Sequence, residues 1–346
     1  MREFDVVVIG GGPAGSMCGC QLKKAGKSCL LVDYASFPRD KICGGGLSAK
    51  SWRLLEKLLP DFKYEYFGLR HFRIRLNGKE GCEFEAEQEF RIVQRRLFDY
   101  QLLQYYQSLG GDFQKDSFKT VEEHPDGRLV LTLTSGEQVV SRYLVGADGS
   151  NSRVRRFLTG KSDRGLLAVE QYSPKDMYDD SGSVVVDLCS CYKDFGYFYC
   201  FPNPEHNVIG YGDYTMSIDK FRQVLRDRNI PEGKFRGAYI YLSNDYPLRN
   251  NIILIGDAGG FANRLTCEGL YDAFQTAYNA TRAIVECKPF SETNSKVFAK
   301  LKRQTRLYEF LASGHGFSVL RLMCRFPGLI KWCFDVKMKR ESFFKV

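Results

Sequence analysis

The chain has 346 residues, 44% hydrophobic and 26% charged, with no low-complexity tract, enough to bury a sizeable core as two intimately associated domains. It holds no run of about 20 uncharged apolar residues, which argues against a transmembrane helix, and Met1-Arg2-Glu3-Phe4-Asp5 runs straight into a strand with no charged-then-apolar leader, so the chain reads as cytoplasmic. Net charge is +9, but no nucleic-acid recognition motif accompanies it, so nucleic acid is not expected as a partner.

Phe4 to Ile9 is an apolar run suited to a buried parallel strand, and glycines end it. A helix is expected from Pro13 to Ala25 and a second strand from Ser28 to Val32, making one βαβ half. A loop with Gly44, Gly45 and Gly46 leads to a helix near Ser48 to Leu59. Phe72, Ile74 and Leu76 alternate with His71, Arg73 and Arg75, meet Asn77-Gly78, and face Cys82, Phe84 and Ala86 in what reads as a hairpin. Arg96 to Leu109 is helical in pattern. Phe118 to Val121, Arg128 to Thr134 and Gln138 to Val140 read as a three-stranded meander, and Tyr143 to Ala147 as a separate buried strand. Strands follow at Ser183 to Leu188, Gly196 to Phe201, Asn207 to Gly212 and Gly237 to Leu242, with a helix over Ile218 to Arg228. Ile252 to Ile255 is again a buried strand, a helix covers Gly269 to Cys287, and the remainder is helical and basic.

The fold class is therefore α/β: a Rossmann-type nucleotide-binding domain, built from a parallel sheet and a three-stranded meander, with an inserted antiparallel-sheet substrate domain and a helical C-terminus. The first domain takes residues 1–70, 95–164 and 246–290, the substrate sheet residues 71–94 and 165–245, and the helical region residues 291–346. The twelve cysteines include no C-x-x-C pair; Cys18/Cys20 and Cys189/Cys191 are each two apart, a poor spacing for a bridge on a strand, and free thiols in a reducing compartment account for them. The four histidines show no metal spacing, so no metal site is expected.

Gly10-Gly11-Gly12-Pro13-Ala14-Gly15 fits G-x-G-x-x-G between a strand and a helix. Gly10 permits the turn, Gly12 the approach of a diphosphate, Gly15 the close packing of helix on strand, and the helix start favours negative charge. Asp33, ending the second strand, is placed to accept ribose hydroxyls. Asp257, in Gly256-Asp257-Ala258-Gly259-Gly260 after the last buried strand, can hold a ribityl chain, and the helix start at Gly269-Leu270 can face the flavin edge where negative charge gathers on reduction.

These motifs, in this order, resemble the FAD-dependent group that shares the fold of p-hydroxybenzoate hydroxylase, over roughly residues 1–290. The resemblance implies FAD as cofactor, Asp148-Gly149 near it, and Arg95 in R-x-x-F-D reaching its phosphates or ribose; the plainer account of Arg95 is a surface arginine on a helix. Within the group, Lys41-Ile42-Cys43-Gly44-Gly45-Gly46, Gly196-Tyr197-Phe198-Tyr199-Cys200-Phe201-Pro202 and Leu265-Thr266-Cys267-Glu268-Gly269-Leu270 are similar to segments of the geranylgeranyl reductase family. In that family the first lies beside the isoalloxazine and the second lines the substrate cavity. Tyr199 stands where that family usually has tryptophan and Cys267 where it has glycine, which bears on substrate shape and on the flavin loop.

Tyr197, Tyr199 and Phe201 alternate with Phe198 and Cys200 and so share one sheet face, a plausible tunnel wall for a prenyl chain or an ordinary sheet core. The expected activity is reduction of carbon–carbon double bonds in a prenyl or other hydrophobic substrate. Cys43, Tyr197 and Tyr199 are the candidate proton donors, although Cys43 also suits a crowded glycine loop simply by being small. A flavin monooxygenase or halogenase is the alternative, with no lysine assignable to the halogenase role, and a flavin-binding redox sensor without turnover is the third reading. No second nucleotide fingerprint is present, so NAD(P)H or reduced ferredoxin would serve as a transient donor. The basic end, with Leu329, Ile330, Cys333 and Phe334 at helical spacing, allows peripheral contact with a membrane surface.

Overall fold

The computed structural model describes residues 1–163, 165–175, 182–247 and 249–340. In chain order it runs β1 (Arg2–Ile9), α1 (Pro13–Lys24), β2 (Cys29–Asp33), β3 (Gly46–Leu47), α2 (Ala49–Leu58), β4 (Phe67–Leu76), β5 (Lys79–Ile92), α3 (Arg95–Ser108), β6 (Asp112–Lys115), β7 (Phe118–Glu123), β8 (Leu129–Leu133) and β9 (Gln138–Gly146). Then follow α4 (Arg153–Thr159), β10 (Leu166–Ser173), β11 (Val184–Cys189), β12 (Gly196–Pro202), β13 (Asn207–Asp213), α5 (Ile218–Arg226), β14 (Arg236–Ile240) and β15 (Ile252–Leu254). The chain closes through α6 (Leu270–Val285), α7 (Phe290–Thr293), α8 (Ser295–Ala312), α9 (Gly314–Met323) and α10 (Pro327–Arg340).

The first sheet has the order β6-β2-β1-β9-β8-β7, with β15 also on β9. Its β6, β2, β1, β9 and β15 are parallel, and β7, β8 and β9 form the antiparallel meander. Alternation along the strands divides the core. Val6, Val8, Leu31 and Val145 face α1, α3 and α6. Val7, Ile9, Leu30, Val32 and Leu144 face the meander side. A sheet buried on both faces needs apolar residues at every position, which is why these strands are continuous apolar runs.

The meander's last strand and the expected separate strand at Tyr143 are one strand, β9. It pairs with β8 over Ser141–Gln138, with β15 over Leu144–Gly146, and with β1 along nearly its whole length. The polar Ser141-Arg142 interrupts the apolar pattern without interrupting the strand, because the Ser141 hydroxyl is buried and donates to the Tyr143 carbonyl at 3.0 Å. Three strands left no separate sequence signal. β3 and β6 are short, and β10 (Leu-Leu-Ala-Val-Glu-Gln-Tyr-Ser) has no clean alternation.

The second sheet has the order β14-β10-β13-β12-β11-β4-β5-β3. It is antiparallel except where β11 runs parallel to β4. One face packs Val185, Phe198, Cys200, Ile209 and Tyr211 on Phe221, Val224 and Leu225 of α5. The other face of β12 carries Tyr197, Tyr199 and Phe201, only partly buried, and looks toward the Gly44–Gly46 loop.

Candidate FAD and substrate site

Gly10 sits at φ 113°, and a Cβ there would overlap the Ala147 carbonyl; a Cβ on Gly15 would overlap the Gly10 carbonyl. Both glycines are therefore required by left-handed backbone or close approach. α1 starts at Pro13 with Gly12 as N-cap and no side-chain cap, leaving the N–H groups of its first turn directed at whatever lies above the loop. Asp33, 6% exposed, accepts from Gly11 N–H at 2.6 Å and from Ala35 N–H at 2.8 Å. Its carboxylate closes the loop onto β2 and retains further acceptor capacity for hydroxyls.

Arg95 is buried and spends Nε and Nη2 on Asp99 at 2.8 and 2.9 Å, with the Cys43 thiol also against it. Asp99 in turn faces Arg39, whose Nη2 is 3.8 Å away. A Cβ on Gly12 would lie 3.2 Å from that Arg39 nitrogen. The guanidinium lying over the glycine loop is thus Arg39, and Arg95 stands behind it, holding Asp99. Sequence reading passed over Arg39; its only signal is a lone arginine shortly after Asp33.

Asp148 follows β9, and its Oδ2 accepts from Arg153 N–H at 2.6 Å, capping α4. Its carboxyl also has the Ser152 hydroxyl beside it, its Oδ1 makes no well-formed hydrogen bond among the described residues, and burial pushes the carboxyl up. Asp257 lies in the 3-10 turn Gly256–Gly259. Its Oδ1 would be 3.1 Å from a Cβ on Gly269, the N-cap that starts α6 at Leu270 with no side-chain cap. The carboxylate and an open helix start therefore adjoin. Cys267, in the loop before α6, has φ 54°, the left-handed conformation that glycine adopts without strain.

Cys43 is exposed, and its Sγ accepts from Gly45 N–H at 3.4 Å. A Cβ on Gly44 would meet Phe201 and Tyr199, and one on Gly46 would overlap Phe90, so the glycine loop lies flat on the aromatic face. Gly45 needs its φ of 74° against Val93. Ring centroids of Tyr197 and Tyr199 are 5.8 Å apart, and those of Tyr199 and Phe201 4.8 Å, a continuous stripe.

The middle ring of the stripe, Tyr199, is hydrogen-bonded to Glu170 of β10, which no sequence motif singled out. Its carboxylate is 1% exposed, accepts from Tyr199 Oη at 2.9 Å and from Arg236 Nη2 at 3.1 Å, and takes the Cys43 main-chain N–H. Burial pushes the Glu170 carboxyl up despite these partners, and burial and Glu170 together push the Tyr199 phenol up. Among the described residues, no cluster of three His, Cys, Asp or Glu side chains could hold a metal ion.

The arrangement fits FAD. Two uncapped helix starts, a loop that tolerates no Cβ at Gly10 or Gly15, acceptors at Asp33 and Asp257, and the buried Asp148 oxygen suit its diphosphate, ribose, ribityl and ring-edge chemistry. Gly10, Gly12, Pro13, Ala14, Gly15 and Asp33 come together, with the main chain of Asp148 against Gly10, and Asp257 adjoins Gly269 at the start of α6, before Leu270. Gly44–Gly46 join Cys43 to Tyr199 and Phe201.

Residues 3–167 match the model of an FAD binding domain. The chain is 28% identical over 328 residues to an uncharacterised protein of Methanosarcina barkeri, covering 91% of this chain and 81% of that one. It is 27% identical over 381 residues to a menaquinone reductase of Mycobacterium tuberculosis (99% and 89%) and 23% identical over 330 residues to a digeranylgeranylglycerophospholipid reductase of Methanocella arvoryzae (88% and 83%). Among solved structures, PqsL of P. aeruginosa superposes with a TM-score of 0.73 at 16% identity (95% and 100%). A geranylgeranyl bacteriochlorophyll reductase-like protein of Thermoplasma acidophilum superposes with a TM-score of 0.69 at 18% (99% and 92%). At such identity the structures speak for the fold alone; the match to an FAD binding domain over residues 3–167 and the sequence relatives show an FAD-dependent oxidoreductase that is similar to geranylgeranyl reductases.

Proposed function

We propose that this FAD-dependent oxidoreductase reduces carbon–carbon double bonds in a prenyl chain or a comparably long apolar substrate. The observation that carries the reading is the half-buried stripe Tyr197–Tyr199–Phe201, covered at one end by the Cys43–Gly46 loop. An apolar chain laid along it removes its surface from water at about 25 cal/mol per Å². Support also comes from two relatives whose names, menaquinone and digeranylgeranylglycerophospholipid reductase, refer to prenyl-bearing lipids.

Bound and reduced, FAD supplies the hydride. The chain supplies the rest. Gly12, Ala14 and Gly15 N–H groups and Arg39 hold the diphosphate, Asp33 the ribose, and Asp257 with the α6 start the flavin side. The three rings exclude water from the alkene. Tyr199 Oη delivers a proton to the second alkene carbon and regains one from Glu170, whose carboxyl retains its proton to higher pH because it is buried. Cys43, tied to Gly45 and to Arg95, keeps the loop on the stripe. The electron donor is NAD(P)H or reduced ferredoxin; Asn151, Arg153 and Arg156 line a hollow of about 390 Å³ whose two guanidinium groups suit a diphosphate.

The test is to reduce the purified protein anaerobically and add a geranylgeranylated lipid or quinone. Flavin reoxidation with a product gaining two hydrogens per turnover supports the reading. Reoxidation only by oxygen, with a hydroxylated product, transfers the protein to the monooxygenases. A spectral shift without reoxidation leaves a sensor.

A further inference from the structure

We infer that the protein docks on anionic lipid bilayers through the outer face of α8, α9 and α10. The inner face of this layer is fastened to the β4–β5 hairpin. Phe334 has its ring centroid 4.7 Å from that of Phe72 and 5.3 Å from that of Phe84. Phe317 and Cys324 are buried beside Leu76 and Cys82, with Ile330 against them. The terminal apolar residues noted in the sequence therefore divide: Ile330 and Phe334 turn inward, and Leu329 turns out.

What remains outside is apolar. Phe310, Val319, Leu322, Phe326, Leu329 and Trp332 are all exposed, Phe326 at 59% and Trp332 at 61%. Val319 and Leu322 are three apart on α9, and Leu329 and Trp332 three apart on α10, so each pair shares a face of its helix, with Phe326 exposed in the connection between them. Six large apolar side chains left exposed within 23 residues of consecutive helices exceed the scattered exposure of an ordinary surface.

The charge decides the occupant. From Lys296 to Asp335 the chain holds eight Lys and Arg against Glu309 and Asp335; Lys300 is spent on Asp272 and Lys331 on Asp335, which leaves six basic residues against Glu309. Arg321 and Arg325 are exposed beside Leu322 and Phe326. A second copy meeting this face about a two-fold axis would bring like charge onto like charge. Apolar side chains that enter the acyl boundary, among cations that meet headgroups, are instead the pattern of an interfacial helix. None of the described helices is long and apolar enough to cross a membrane, so the contact is with one leaflet's surface. Leu265, which opens the loop into α6, packs on the inner side of the same layer, one helix thickness from the lipid. Docking does not depend on which reaction the flavin site performs.

The experiment is co-sedimentation of the holoprotein with phosphatidylcholine vesicles, with and without phosphatidylglycerol, at low and high salt. Binding is expected to the anionic vesicles at low salt, to weaken with salt, and to fall at least tenfold in Phe326→Ser/Trp332→Ser and in Arg321→Glu/Arg325→Glu that keep their flavin colour. The chain has two tryptophans, so Trp52→Phe leaves Trp332 alone, and its emission should move to shorter wavelength on adding anionic vesicles; this readout needs no change at the docking face. No co-sedimentation at low salt, or binding indifferent to both double variants with unmoved Trp332 emission, overturns the inference. So does a dimer whose formation requires Phe326 and Trp332.

Discussion

Lys50 Nζ lies 2.8 Å from Oε2 of Glu268, and this ion pair ties the helix after the Cys43–Gly46 loop to the loop that opens α6. Lys50 is 1% exposed, with its ammonium 4.8 Å from the centre of the Tyr271 ring. The Ser48 and Ser51 hydroxyls both donate to the other oxygen of Glu268. Two segments that read as flavin-side in the sequence are thereby clamped together.

Breaking that clamp on one side should cost more than removing it. Lys50→Met leaves a largely buried carboxylate without its cation, at a cost of up to about 3 kcal/mol, whereas Lys50→Met/Glu268→Leu should recover much of it. Urea midpoints of the two variants decide; equal losses would mean the pair contributes nothing as a pair.

The same carboxylate gives a pH dependence. Burial pushes Glu268 up, but Lys50 and the two serines outweigh it and hold the carboxyl at about 2. The unfolded chain titrates near an ordinary glutamate, about 4.3. A depressed folded value means stability that is present above the unfolded value and lost as pH falls toward about 2. Glu268→Gln should lack this part of the acid-side loss, as read from unfolding midpoints between neutral and strongly acid pH.

Gly15→Ala should yield a colourless protein. The new methyl would overlap the Gly10 carbonyl, and relieving this requires α1 to move off the loop. The expected loss is at least ~100-fold in FAD affinity, about 2.7 kcal/mol, measured by flavin fluorescence titration. Gly26→Ala, at a glycine in open space, serves as the comparison.

Tyr199→Phe should lower kcat on the order of 100-fold with little change in KM, since it removes a proton donor and leaves the ring on the stripe. Activity that needs protonated Glu170 should decline as pH rises through its raised value, and Glu170→Gln should abolish that limb of the profile. A pH profile identical in wild type and Glu170→Gln would remove Glu170 from the proton path.

Cys191 should be alkylated at neutral pH. The Cys189 thiol's hydrogen bond, opposed by burial and assisted by the Arg228 charge, lowers the Cys191 thiol to about 7. Arg228 Nη2 lies 3.2 Å from Cys189 Sγ. The iodoacetamide rate at Cys191, followed by peptide mass spectrometry, should reach half its maximum near that pH. In Cys189→Ala it should shift toward an ordinary thiol near 8.5.

The glycine loop, Asp33, and the starts of α1 and α6 were legible in the chain because each is a local constraint. Only glycine takes φ 113° against a neighbouring carbonyl, and only an open helix start presents free N–H groups to a phosphate. The alternation of Tyr197, Tyr199 and Phe201 likewise follows from the strand's period of two. The hydrogen bond of Tyr199 to Glu170, the clamp on Glu268, the position of Arg39 beside Gly12, and the exposure of Phe326 and Trp332 belong to the tertiary structure alone. Tyr199 and Glu170 are 29 residues apart, and Ser51 and Glu268 217. Contacts of that kind leave no periodicity in the sequence; they arise only when packed sheets and helices bring distant side chains within hydrogen-bonding reach and leave others facing water.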